Sequence, residues 1–130
     1  MDLARPIFGR SVDYRTIRIN SANTLVCKRF GIAFVSFHTI HYYQQISDPI
    51  LIHELVHVWQ YEKFGSAYIV RALLAQRSEM GYKYGGLAAL NDQQKLTDYN
   101  FEQMAEIIRH GFELGGCNEV YNNFIGQLQE

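Results

Sequence analysis

The stretch Ile52-His53-Glu54-Leu55-Val56-His57-Val58-Trp59 constrains this chain more than any other. It spells H-E-x-x-H inside an apolar run. An α-helix turns once every 3.6 residues, so His53 and His57, at i and i+4, project from one face a turn apart. Two imidazoles in that relation can share one zinc ion. Glu54 stands about 100° round the axis, where it can reach a water on the metal without taking a coordination position. That is the general-base role the motif implies in metallopeptidases. So short a motif also arises by chance, and a helix with two His is often just a helix. Here Leu55, Val56, Val58 and Trp59 make the helix apolar nearly all round, the mark of a buried element. Titratable groups in such a helix need partners, because an unpaired buried charge is expensive, and a metal ion provides them. The helix has clean limits: Asp48 reads as N-cap, Pro49 as the first helical residue, and Gly65 after Lys63 as the stop.

At 130 residues, 48% hydrophobic and 19% charged, the chain reads as one globular domain over residues 1–130. A net charge of -1 gives no general pull towards nucleic acid or an anionic membrane. Cys27 and Cys117 form neither a disulfide framework nor a C-x-x-C zinc pattern, so two reduced thiols are expected. The first residues lack a signal-peptide core and no run reaches the length of a membrane span. Cytoplasmic residence is the resulting expectation, with export by a signal-independent route left open.

Along the chain, residues 6–13 read as a leading loop. Alternation around Arg18 predicts a strand from Tyr14 to Ile19, and the cluster Asn20-Ser21-Ala22-Asn23 a turn. Two β-rich runs follow, Thr24 to Phe30 and Ile32 to Tyr43, with Gly31 as a bend between them. A small antiparallel sheet of about three strands is the expected sum. From Asp48 the periodicity is helical. The motif helix runs to about Phe64, and a second begins near Ser66 with Ile69, Leu73, Gln76 and Met80 at helical spacing. Gly81, Gly85 and Gly86 break the pattern, and Leu87 to Leu90 suggests a short turn in a loop. A third helix starts at Asp98 or Asn100, with Phe101, Met104, Ala105, Ile108 and Phe112 as its apolar stripe, and Gly115-Gly116 ends it. A last amphipathic helix begins about Asn118 and carries Val120, Tyr121, Phe124, Ile125 and Leu128. Sheet first and about three helices after the motif helix make an α+β fold.

A catalytic zinc needs a third protein ligand and an open position. The extended motif that ends in a third His is excluded, since Gln60 stands where it requires Gly and Lys63 where it requires His. Glu62 would project away from the pair. The best candidate is Glu102, in the first turn of the third helix. Glu106, one turn on, is the next candidate ligand, and whichever acid does not bind metal could hydrogen-bond a ligand His and fix its tautomer; His110 is a weaker alternative ligand. The competing account makes Glu102 an acid favoured by the helix dipole and Glu106 with Arg109 a solvated pair. His38 and His41, three apart in a strand, face opposite ways and cannot chelate together. Tyr61, Tyr68, Tyr82 and Tyr84 are candidate oxyanion donors, none singled out.

With these blocks in place, the chain resembles zincin metallopeptidases of the gluzincin type, in which a Glu from a later helix completes H-E-x-x-H. More narrowly, it is similar to the small predicted metallopeptidase domains found beside Vgr, Rhs and contractile injection-system proteins in bacteria. The likeness rests on His53 to Tyr61, then Gly65 with Tyr68, Gly81-Tyr82-Lys83-Tyr84, and Tyr99 to Ile108. Phe8-Gly9 and the Arg18-Ile19 strand fit its beginning. The position after Gln103, commonly a second Gln in such domains, is Met104 here. The resemblance implies a zincin-like fold, Zn2+ on His53, His57 and Glu102, and Glu54 as the base. It implies hydrolysis of a peptide or protein substrate, and a secretion or injection-system protein as partner.

The reading that follows is a zinc-dependent peptidase. An extended peptide is expected to add to the edge of the sheet along the His38 to Tyr43 strand. The rival is a non-catalytic or structural zinc-binding module, a scaffold or partner in a bacterial secretion assembly. Structural sites usually close the fourth position with a protein ligand, and no further Cys or His stands out for that.

Overall fold

The computed structural model describes residues 2–65, 83–91 and 93–130. In chain order it contains α1 (Arg5–Phe8), β1 (Arg18–Asn20), α2 (Cys27–Phe30), β2 (Phe34–Ser36), β3 (Thr39–His41) and α3 (Asp48–Phe64). After two single 3-10 turns, Leu87–Ala89 and Leu96–Asp98, come α4 (Phe101–Glu113) and α5 (Glu119–Leu128). A three-stranded sheet with helices after it is an α+β fold. The expected helix from Ser66 lies outside the described residues.

The sheet differs from expectation in three ways. Its order is β1-β3-β2, with β2 antiparallel to β3 but β1 parallel to it, so it is mixed and not antiparallel. The chain leaves β1, reverses through α2 and β2, and returns in β1's own direction as β3. Thr24 to Phe30 is not a strand. The Asn23 side-chain oxygen accepts from the N–H groups of Val26 and Cys27 at 3.0 and 3.1 Å, which starts one helical turn, and left-handed Gly31 (φ 65°) closes it. The run Ile32 to Tyr43 folds back on itself at Phe37 and His38, pairing Ser36 with Thr39. Phe37 takes φ 57° there, a conformation no β-propensity announces. Because β3 is paired on both sides, the strand expected to receive a substrate peptide has no free edge. The leading loop also contains structure: Arg5–Phe8 is a helical turn that buries Ile7 and Phe8.

The helices follow the sequence closely. Ser47, not Asp48, occupies the N-cap position of α3, which puts Asp48 in the first turn, where the helix dipole favours an acid. Gly65 ends the helix with its N–H on Tyr61 O at 2.8 Å. Asn118 caps α5 through Val120 and Tyr121. α3 packs along α4, and α4 against α5; Ile52, Val56, Phe101, Ile108 and Phe124 are fully buried between them. The C-terminal residues close the domain. Trp59 Nε1 donates to Leu128 O at 3.1 Å, and Gln129 Nε2 to Ile7 O at 2.9 Å. Among the described residues no helix is long and apolar enough to cross a membrane.

Candidate metal centre

The central turns of α3 are buried on every side. His53, Glu54 and His57 keep 8, 5 and 4% of their surface exposed. Opposite them, Asn100 sets where α4 starts. Its side chain accepts from Gln103 N at 2.8 Å and the Gln103 side chain accepts from Asn100 N at 3.0 Å, a reciprocal capping box. Gln103 also donates to Lys83 O at 2.7 Å, tying down the preceding loop. The first turn so placed carries Glu102, buried and facing α3.

Three donor atoms meet there. Glu102 Oε1 lies 3.2 Å from His57 Nε2, Glu102 Oε2 lies 3.4 Å from His53 Nε2, and the two Nε2 atoms are 3.2 Å apart. Bonds of about 2.0 Å to a tetrahedral ion imply ligand atoms about 3.3 Å from one another. The observed triangle matches that edge, and imidazole and carboxylate are both metal-ligating groups. His53, His57 and Glu102 can therefore hold a metal ion. Each imidazole has a further polar neighbour. His57 Nδ1 is 2.9 Å from Gln60 Oε1, and His53 Nδ1 is 3.4 Å from Glu106 Oε2. Glu106 is in turn held by Arg109 at 3.4 Å. The Glu106–Arg109 pair is thus real, but it leans inward on His53 as well.

Charge in this pocket is strongly coupled. Burial alone would depress the His53 imidazole, yet hydrogen bonds to Glu102 and Glu106 and the charge of Glu54 hold it up at about 9. Burial would raise Glu102, but the same contacts with His53 and His57 bring it down to about 2. These are two views of one interaction. Glu106 also falls below the usual carboxylate range, because its contacts with His53 and the nearby Arg109 and His110 outweigh its burial. Glu54 moves the other way. Burial lifts it, with Glu102 and Glu106 adding to the lift, and the nearby His57 and His53 only partly oppose them. Its charge reaches the buried Cys27 thiol, whose pKa rises through burial first and Glu54 second.

The other sequence candidates are placed elsewhere. His38 pairs with Glu62 at 3.4 Å and sits edge-on to the Tyr61 ring; His41 stacks on Phe34 and meets the Asn20 side chain at 3.2 Å. Tyr84 is buried in a chain with His110 and with the Tyr121 hydroxyl at 2.6 Å, and burial followed by the Tyr121 hydrogen bond pushes its phenol far up. Tyr68 and Tyr82 lie outside the described residues. Cys27 and Cys117 are both free, one buried and one exposed. Gln60 is the residue that sequence reasoning missed, having entered only as the absence of a Gly. The available signal was a polar residue three positions after His57 on an otherwise apolar helix.

In an alignment of 127 positions that covers 86% of the chain, the sequence is 28% identical to the type VI secretion system spike protein VgrG2b of Pseudomonas aeruginosa. The match covers 12% of that protein's length. No protein-family model matches the chain, and no solved structure does.

Proposed function

We propose that this protein is a zinc-dependent peptidase whose ion is held by His53, His57 and Glu102 and whose general base is Glu54. One observation carries the reading: three metal-ligating atoms from two helices converge at 3.2 to 3.4 Å, with a buried carboxylate of raised pKa on the adjoining position of α3. Among the described residues three side chains form this group, not four, the pattern of a site with a position left for water or substrate. A zinc ion bound there supplies an acidified water and a Lewis acid for a carbonyl oxygen. The residues do the rest. Glu54 accepts a proton at its carboxylate and returns it to the leaving amine, a task suited to an acid whose pKa burial has raised. Glu106 orients His53 through Nδ1, and the apolar shell of α3 and α4 keeps bulk water from the pair.

A second reading is favoured by the likeness to a secretion-system spike protein. In it the chain is a metal-binding module that associates with such an assembly without cleaving anything. Both readings place a secretion-system protein beside this chain. They part on Glu54. Purified protein is expected to carry close to one zinc per chain, lost in His53→Ala, and to cleave peptide bonds in an unfolded protein substrate. Glu54→Gln should keep the zinc and abolish cleavage. Zinc bound at full occupancy with no cleavage by the wild type would favour the module, and full occupancy in His53→Ala would remove the site.

A further inference from the structure

Gln60 lies at the junction of the two helices that build the metal centre, and its surface is entirely buried. Its amide nitrogen donates to the carbonyl of Phe101 at 2.9 Å, with the Met104 sulfur at 3.7 Å. Its amide oxygen lies 2.9 Å from His57 Nδ1. The two contacts determine each other. A carbonyl oxygen can only accept, so the nitrogen of Gln60 must face Phe101. The oxygen is then left for His57, and it too can only accept. His57 must therefore carry a proton on Nδ1, and in the neutral ring the Nε2 lone pair is left to accept from His53 Nε2–H, 3.2 Å away. Turning the amide over would set two oxygens against each other at Phe101 and lose that bond, although its nitrogen could then donate to an unprotonated His57 Nδ1. Moreover, the Phe101 carbonyl belongs to the peptide group that continues into Glu102, so the same side chain holds the backbone from which the third donor springs.

We propose that Gln60 is the positioning residue of this centre: it sets the His57 tautomer and fixes the Phe101–Glu102 peptide against α3. The consequence for metal binding rests on the function proposed above; the effect on the ring does not. The outer partners of metal-ligating histidines commonly matter to affinity by roughly 10- to 100-fold. Two replacements separate the roles. Gln60→Leu removes both bonds. Gln60→Glu still offers His57 an acceptor but has no N–H for Phe101.

The test is nitrogen-15 NMR of the neutral His57 ring in metal-free protein, alongside zinc affinity by competition with a chromophoric chelator. In the wild type the ring should be the Nδ1–H form. It should remain so in Gln60→Glu and shift towards Nε2–H in Gln60→Leu. Zinc affinity should fall roughly 10- to 100-fold in Gln60→Leu and less in Gln60→Glu. A wild-type ring in the Nε2–H form would overturn the proposal whatever the variants do. So would a folded Gln60→Leu whose tautomer and zinc affinity match the wild type, since a purely structural glutamine would cost thermal stability alone. A wild type with the Nδ1–H ring that takes up no zinc would refute the metal reading while upholding the role of Gln60 on His57.

Discussion

At the residue scale, the metal-free centre is a proton trap. His53, held at about 9 by Glu102 and Glu106 against its own burial, is charged at neutral pH, so an incoming metal must displace that proton. Zinc affinity should therefore rise as pH increases towards 9 and level off above it. The rise should be about tenfold per pH unit for one proton released, and titration calorimetry in buffers of different ionisation enthalpy would count that proton. Stability of the metal-free fold runs the opposite way. A folded-state pKa above the ordinary 6.5 means that the His53 contribution is complete below about pH 6.5 and is lost as pH climbs through 9. The depressed Glu102 describes the same bond from its acid side: present above the ordinary 4.5 and lost as pH falls through 2. Glu106→Gln should keep an acceptor near His53 Nδ1 but remove the charge. Zinc should then bind roughly tenfold more weakly, with one equivalent still taken up.

Among the elements, α4 matters most, because its start places Glu102 and its far end meets α5. Asn100→Ala removes one half of the capping box and should cost about 1 kcal/mol in denaturant unfolding. Zinc affinity should weaken with it, as the first turn loosens. Alanine at two helical glycines should have opposite effects. A Cβ at Gly111 would lie 3.1 Å from Tyr121 Cβ and 2.9 Å from Ile125 Cδ1, where α4 crosses α5. The isoleucine tip can swing aside, but the tyrosine Cβ is fixed to backbone, so Gly111→Ala should lower the melting temperature despite its better helix propensity. Gly126, also helical, has nothing within 4 Å of that point. Gly126→Ala should raise stability by about 0.5–1 kcal/mol.

For the whole molecule, the donors sit on two helices far apart in sequence, so a bound ion clamps the fold. Zinc at a thousandfold excess over its dissociation constant should stabilise the protein by about 4 kcal/mol. The gain should appear as a higher melting temperature that a chelator reverses and that Glu102→Ala lacks. The C-terminal helix belongs to the same unit, with Phe124 and Leu128 in the core and Trp59 anchored on the Leu128 carbonyl. What was legible beforehand depended on local rules. The 3.6-residue period put His53 and His57 on one face, and the apolar stripe of α4 marked Glu102 as an acid at the edge of a buried surface. Asn118 and Gly65 announced helix ends because caps act within a few residues of themselves. What was not legible depended on partners distant in the chain. β1 lies parallel to β3, Phe37 turns a hairpin without a glycine, and the Gln60 amide finds the Phe101 carbonyl. Each is decided by which surfaces the core brings together, since a hydrogen bond between remote segments leaves no period in the sequence. The chain by itself specified which side chains carry metal-ligating chemistry, and packing of α4 along α3 alone brought three of their atoms within 3.4 Å.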